Sequence, residues 1–221
     1  MELILRIEQI NEQDFDKIYV ISDLHGNNEL FDKALNQIDL HYNDLLIIAG
    51  DSCDRGFDSS AIYEKVLGLK SYYNIIHLLG NHEWMFYNYA AEHMGYELWM
   101  LNGGEKTIDS YNNHFPLMDS HIEFIRNMPV ILETPKHIIC HAGVNPEIPL
   151  EMESLYNCIW YSEEELNSYF FTKTLVSGHH ITPKGEIEFK TNNRIAIDCG
   201  SYIYHRLGIL ELKSYRTMYI T

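Results

Sequence analysis

The chain is short of positive charge. Its 221 residues hold 16 lysines and arginines against 32 acids, a formal net charge of −16. Binding a DNA or RNA backbone needs clustered cations, so nucleic acid is not expected as a partner. The excess acid fits a solvated surface, and part of it fits carboxylates that ligate a divalent ion. Cysteine is scarce as well. Cys53, Cys140, Cys158 and Cys199 form no CxxC pair and no framework spacing, which argues against a disulfide scaffold. No apolar run approaches the roughly 20 residues needed to cross a bilayer. The opening Met1-Glu2-Leu3-Ile4-Leu5-Arg6 lacks the basic start and long apolar core of a secretion signal. The expectation is a soluble cytoplasmic protein with no membrane partner. No linker, low-complexity tract or internal repeat breaks the chain, so residues 1–221 are expected to form a single domain.

Apolar residues are plentiful, at 46%, and their order is informative. Lys17–Ile21, Asp44–Ala49 and Tyr73–Leu79 read as buried strands. Each breaks into a glycine-containing loop with polar side chains. Asp23 and His25 precede Gly26. Asp51, Asp54 and Arg55 lie between Gly50 and Gly56, and Asn81 and His82 follow Gly80. A helical pattern comes next each time. Asn27 or Asn28 caps the first and Asp58 or Ser59 the second, and the third runs over about 83–94. Strand, loop and helix in threefold succession predict a parallel sheet with its chemistry at the strand C-terminal ends.

Residues 1–16 read as an irregular or edge lead-in. In the middle, Leu98–Gly104 reads as an apolar run ending in a turn, with helices over 107–111 and 119–128. After Pro129 the pattern becomes mostly β, with short runs at 130–133, 137–141, 174–177, 187–190, 194–198 and 207–212, and one helix over 162–169. The expected fold class is α/β, built on two sheets.

The strand ends together carry Asp23, His25, Asp51, Asp54, Asn81, His82, His141 and His179. This mixed nitrogen and oxygen set, without thiolate, suits ions such as Mn, Fe or Zn. In an extended segment residues i and i+2 share a side, so Asp23 and His25 can grip one ion. Taken singly, Asp23 and Asn81 read as turn or capping residues, His141 as a core histidine and Arg55 as a surface ion-pair partner. The coincidence of five such loops outweighs those readings. His41, His77, His93, His114, His121, His137 and His205 read as surface or packing residues. His137 lies four residues before His141 on the same strand face and is its rival, but Ala142-Gly143 favours His141.

Asp23-Leu24-His25-Gly26, Gly50-Asp51-Ser52-Cys53-Asp54-Arg55-Gly56, Gly80-Asn81-His82-Glu83, His141-Ala142-Gly143 and Gly178-His179 resemble the successive motifs of the calcineurin-like metallophosphoesterases. More narrowly, they resemble the PPP-type protein phosphatases of bacteriophage lambda and bacteria. The segments at Trp99–Gly104, Ile159-Trp160 and Ile197–Gly200 are similar to that group too. The resemblance implies a central two-sheet β-sandwich flanked by helices. It implies two divalent metal ions, Mn in the first place with Fe, Zn, Co or Ni as alternatives. Asp23 and His25 would hold the first ion, Asp51 would bridge, and Asn81, His141 and His179 would complete the second site. Ions roughly 3.5–4 Å apart share a hydroxide for in-line attack on phosphorus. Arg55 would clamp the phosphoryl oxygens. His82 would protonate the leaving group, with Asp54 holding it charged.

The implied activity is hydrolysis of phosphomonoesters, on a phosphorylated protein at Ser or Thr, with Tyr also open, or on a small phosphoester. The alternatives are a dinucleoside tetraphosphate or other nucleotide hydrolase, and a non-catalytic phosphate-recognition module. One departure stands out. The group carries a second phosphate-binding Arg shortly after a Trp, whereas this chain reads Trp160-Tyr161-Ser162-Glu163-Glu164-Glu165 and has no Arg between Arg126 and Arg194. Losing such a contact weakens transition-state stabilisation by on the order of 2–4 kcal/mol. Tyr161, His180, Lys184 or a cation on the substrate are the candidate replacements. Specificity is expected to come from 95–128 and 144–172.

Overall fold

Alternation along the strands divides the core into three layers. The computed structural model describes residues 3–112 and 115–221. The chain order of its main elements is β1 (Ile7–Gln9), β2 (Ile18–Ile21), α1 (Asn28–Ile38), β3 (Leu45–Ile48), α2 (Ser59–Leu69), β4 (Asn74–His77), α3 (Asn81–Glu92), α4 (Tyr96–Leu101), α5 (Gly104–Tyr111), α6 (Phe115–Arg126), β5 (Ile131–Glu133), β6 (His137–Cys140), α7 (Leu155–Trp160), α8 (Glu163–Ser168), β7 (Thr174–Ser177), β8 (Glu188–Lys190), β9 (Arg194–Ala196), α9 (Ser201–Tyr204), β10 (Leu207–Glu211) and β11 (Arg216–Ile220).

Among the described residues these strands form two sheets, in the orders β1-β5-β6-β7-β9-β8 and β11-β10-β2-β3-β4. Ile18, Val20, Leu45 and Ile47 of one sheet pack against Leu132, Ile139, Val176 and Ile195 of the other. Their sequence neighbours face outward, as a period of two requires. Tyr19, Ile21, Leu46 and Ile48 meet Phe31, Ala34, Ile62 and Val66 of α1 and α2. Cys140 and Leu175 meet the helices on the opposite flank through Phe86, Trp99, Cys158 and Leu166. The architecture is a β-sandwich with helices on both outer faces, as expected.

Two parallel sets place the chemistry. β2, β3 and β4 pair in parallel, Val20 with Ile47 and Ile47 with Ile76. β6, β7 and β9 do the same in the other sheet, Ile139 with Val176 and Val176 with Ile195. The loops after all six strands therefore leave the sandwich at its C-terminal edges. The lead-in does supply an edge strand, with β1 parallel to β5. The 98–104 stretch holds the expected turn, left-handed at Gly103 (φ 90°), with helix on both sides of it. β11 and α7 had no clear signal, because each depends on partners distant in sequence.

Candidate active site

The first loop is laced to the second through the backbone. Asp23 N–H donates to Gly50 O at 3.0 Å, His25 N–H to Asp51 O at 3.0 Å, and Gly26 N–H to Ser52 O at 2.9 Å. This lacing sets an unusual conformation. Asp23, His25, Asp51, Asp54, Arg55 and His179 all have positive φ, between 46° and 69°. The expectation of an extended Asp-x-His is thus corrected, since both residues are left-handed. Non-glycine residues lose roughly 1–2 kcal/mol each in that region. Such strain persists where surrounding bonds over-determine it, typically at functional sites. Two glycines permit the close packing. A Cβ at Gly80 would lie 2.2 Å from Asp51 Oδ1, and one at Gly178 would lie 2.2 Å from Asp23 Oδ2.

The predicted residues converge on Asp51, whose Oδ2 lies 3.3 Å from His141 Nε2, 3.8 Å from His25 Nε2 and 3.9 Å from His82 Nε2. Two groups of potential ligands share it. One comprises His25, Asp51 and His82, the other Asp51, His141 and His179, with ligand atoms in each within 4.8 Å of one another. Asn81 joins the second, its Oδ1 standing 2.8 Å from His141 Nε2. Asp23 is a member of neither group and accepts from His179 N–H.

Imidazole orientation follows from carbonyl partners. His25 Nδ1–H donates to Cys53 O at 3.1 Å and His141 Nδ1–H to Ala49 O at 2.9 Å. Both Nε2 atoms are left pointing inward, the arrangement that prepares histidine to bind a metal.

The electrostatics call for a cation. Burial drives the Asp23 carboxyl well above its usual range, and the charges of Asp198 and Asp51 add to this. Asp198 is itself pushed up to about 6, chiefly by burial, with Asp51 contributing. Burial would also raise Asp51, but His141, His82 and His25 hold it well below the carboxylate norm. His179 is pushed down to about 3 by burial and by His141, so its imidazole is neutral. His141 is raised to about 10 because the Asp51 carboxylate outweighs burial. Buried carboxylates beside lone-pair nitrogens fit divalent ions, whose charge would offset that repulsion.

Arg55 Nη1–H donates to His25 Nε2 at 3.2 Å and Nη2–H to His82 Nε2 at 3.1 Å. His82 Nδ1–H donates to Asp54 Oδ2 at 2.7 Å. Asp54 is pushed up by burial, against the hydrogen bonds from His82, Thr107 and Trp99.

Comparison with known proteins agrees with this geometry. The model of the calcineurin-like phosphoesterase family matches residues 16–203. The chain belongs to the calcineurin-like phosphoesterases. A relative named serine/threonine-protein phosphatase 2, from Salmonella typhimurium, is 27% identical over 96% of this chain and 100% of its own. A symmetrical bis(5'-nucleosyl)-tetraphosphatase of Wigglesworthia glossinidia brevipalpis is 30% identical over 71% of this chain, but that match spans only 55% of its length. Among solved structures, a yeast (Saccharomyces cerevisiae) protein serine/threonine phosphatase superposes with a TM-score of 0.66 at 13% identity, covering 98% of this chain and 83% of its own. One described as a candidate diadenosine tetraphosphatase gives 0.73 at 15% identity, over 98% and 97%. At such identities these last two speak for the fold.

Several residues of this phosphoesterase site escaped sequence reasoning. Glu83 is fully buried and accepts from the N–H groups of Asp51 (2.7 Å), Ser52 (2.7 Å) and Gly80 (3.1 Å) and from Tyr63 O–H (3.0 Å). Trp99 Nε1–H and Thr107 O–H donate to Asp54 at 2.9 and 2.6 Å. The middle segment therefore reaches the site through Asp54. Asp198 had a signal, the family-like segment around it. Glu83 had one in its adjacency to His82, but its contacts join loops more than 30 residues apart.

The substituted position also has an explanation. Ser162 is the N-cap of α8, in a capping box with Glu165. Of the proposed replacements for the arginine, Tyr161 spends its hydroxyl on Glu153 at 3.3 Å and His180 Nε2–H donates to Tyr161 O at 2.7 Å. Lys184 is exposed. Lys190, not foreseen, shares a cavity of about 420 Å³ with Arg55, His179 and His180. His137 is no ligand of the cluster, because its ring is held by Glu12 (2.6 Å) and Tyr215 (2.9 Å). His77 and His121 are buried packing residues, and His205 is exposed beside a cavity. His114 lies outside the described residues.

Proposed function

We propose that this single domain is a dinuclear metal-dependent phosphatase hydrolysing phosphomonoesters on the serine and threonine side chains of phosphoproteins. The sharing of Asp51 Oδ2 by two ligand groups, with Arg55 reaching across one of them, carries this reading. Asp23, His25 and Asp51 would hold one ion. Asp51, Asn81, His141 and His179 would hold the other, with manganese the first choice. The ions supply Lewis acidity and a nucleophile that is deprotonated near neutral pH.

The remaining work belongs to side chains. Cys53 O and Ala49 O hold the Nδ1 atoms of His25 and His141, so that both Nε2 atoms face the centre; on His141 a bound cation would take the place of the proton that Asp51 now favours. Arg55 can turn its planar fork onto two phosphoryl oxygens, where transition-state charge accumulates. In doing so it releases His82 Nε2, which is then free to carry the proton that the leaving alkoxide needs. Asp54 stabilises the resulting imidazolium at 2.7 Å.

A protein substrate is favoured by the end-to-end match to the Salmonella relative. A cytoplasmic setting is supported by four buried cysteines that are all unpaired. The second reading, a dinucleoside tetraphosphate hydrolase, is favoured by the tetraphosphatase relatives. Phosphate release from a phosphoserine peptide and from diadenosine tetraphosphate, measured side by side with Mn, separates them. Turnover of the peptide is expected to dominate. Preference for the dinucleotide would replace the first reading by the second. Inactivity on both with Mn, Fe, Zn, Co and Ni would leave a phosphate-recognition module.

A further inference from the structure

Positive charge is scarce in this chain, yet three cations gather on one side of the cluster. The cavity of about 420 Å³ that opens past Arg55, His179 and His180 also takes in Glu163 of α8 and Glu188 and Lys190 of β8. Its size lies within the range of small-ligand sites, about 300–1,000 Å³.

Strand register explains the gathering. β8 and β9 are antiparallel, with Lys190 directly opposite Arg194. Like charges so placed repel across the sheet, and something must offset them. Glu163 does so in part. Its Oε2 accepts from Arg194 Nη2–H, and its Oε1 lies 3.5 Å from Lys190 Nζ. Arg194 is buried, and among the described residues its Nε and Nη1 have no hydrogen-bond partner. A buried guanidinium with one acceptor cannot release it cheaply, so Glu163 is committed to Arg194. Lys190 keeps Glu188, at 2.5 Å, as its close partner. Both of these side chains are partly exposed, at 27% and 31%, and pairs of that kind contribute little and exchange readily. Lining the cavity or directly behind it, three fixed cations, Arg55, Lys190 and Arg194, thus face two fixed acids, Glu163 and Glu188. The local surplus is positive, on a chain whose net charge is −16.

We propose that Lys190 is a specificity-determining residue, and that this cavity seats a second anionic group of the substrate, a carboxylate or phosphoryl group borne next to the phosphoester that is hydrolysed. The assignment rests on the phosphatase reading and narrows its substrates to acidic segments. The incoming oxygens take the place of Glu188 on Lys190 Nζ, while Glu163 stays on Arg194. The overall negative charge of the chain opposes an acidic substrate, so a preference for one has to come from a local cation.

Phosphoserine peptides whose two neighbours are alanine, aspartate or the non-hydrolysable phosphonate analogue of phosphoserine provide the test, with Mn-loaded protein. In the wild type kcat/KM is expected to be about 2- to 5-fold higher with aspartate than with alanine, the range of one partly exposed ion pair. Lys190→Gln should bring that ratio down to unity or below, and Lys190→Arg should keep it. The phosphonate-flanked peptide separates the two sources. A gain larger than that of aspartate assigns the seat to a second phosphoryl group, and a smaller one to a carboxylate. No acidic preference in the wild type, or a preference that survives in Lys190→Gln, overturns the seat. A second readout does not need turnover. Calorimetry with peptides that carry the phosphonate at the central position should show the aspartate-flanked ligand binding more tightly than the alanine-flanked one, with the difference lost in Lys190→Gln. Equal affinity of the two ligands for the wild type overturns the seat even if the enzyme is active. A protein inactive on every peptide that keeps the aspartate preference in binding would sink the phosphatase reading and support the seat.

Discussion

Glu83→Gln is the sharpest test of how the site is held. Oε2 accepts from the backbone of Asp51 and Gly80, and Oε1 accepts from Ser52 N–H and Tyr63 O–H. A glutamine must put its NH2 where one of these oxygens was. At the Oε2 position it would oppose two backbone donors, whereas at the Oε1 position it opposes only Ser52 N–H, because the Tyr63 hydroxyl can turn and accept. The cheaper orientation loses one bond to a charged group, about 1.5–3 kcal/mol. Relief from burying a charge offsets part of it, leaving about 1–2 kcal/mol. That is a sizeable part of the stability of a typical domain, about 5–15 kcal/mol. Urea unfolding should show the midpoint falling with an unchanged slope. Mn titration by calorimetry should show weaker binding, because the N–H group left without its acceptor is that of Ser52, next to Asp51. Tyr63→Phe is the control. It removes a single donor, should cost about 1 kcal/mol, and should leave metal affinity alone. If Glu83→Gln unfolds within about 0.5 kcal/mol of wild type and binds Mn equally well, the carboxylate is not what anchors the Asp51 loop.

Other outcomes follow from the same geometry. His82→Asn should reduce kcat on an alkyl phosphate by about 10²–10⁴-fold and much less on an aryl phosphate; equal losses would remove His82 from the acid role. Ser162→Ala should cost about 1 kcal/mol in urea unfolding, through loss of the α8 cap, while leaving kcat/KM unchanged, and a large kinetic effect would mean that Ser162 itself meets the phosphate. The acid limb of stability should involve Glu163. Burial pushes its carboxyl up, but the hydrogen bond and charge of Arg194, with Lys190, outweigh that and leave it lowered from 4.5. A lowered carboxyl stabilises the fold at pH values above its unfolded value and stops doing so as pH falls through the folded value. Glu163→Gln should therefore remove part of the stability lost on acidification below about pH 4.5, and an unchanged acid limb would refute the pairing.

The sequence was most informative where physics is local. Buried strands announce themselves as apolar runs, and the parallel topology carries their ends to one edge. That is why Asp23, His25, Asp51, Asn81, His141 and His179 could be named together before their distances were known. The unreadable parts depend on contacts across the chain. Trp99 and Thr107 reach Asp54 from α4 and α5 across about half of a hundred residues of chain separation, and no periodicity encodes that. Ser162 looked like a missing arginine until α8 showed it to be a cap. The 95–128 segment also braces Asp54, through Trp99 and Thr107. A cavity of about 680 Å³ beside His25 and Arg55 has Phe57, Tyr202 and His205 among its lining residues, a juxtaposition that only the fold reveals.

Left-handed backbone at six residues of the site also bears on the order in which the molecule assembles. Six such conformations at roughly 1–2 kcal/mol each are too costly for isolated loops to hold. Hydrogen bonds between the Asp23 and Asp51 loops offset part of that cost, and they exist only once β2 and β3 lie side by side. His179 needs the second sheet as well, since its N–H meets Asp23 across the sandwich. The ligand geometry is therefore a late product of docking two sheets. A peptide spanning 17–58 would carry Asp23, His25 and Asp51, the whole proposed ligand set of one ion, yet fail to bind Mn with the affinity of the full chain. Grafting the same letters onto another scaffold would transfer the composition of the site without its shape.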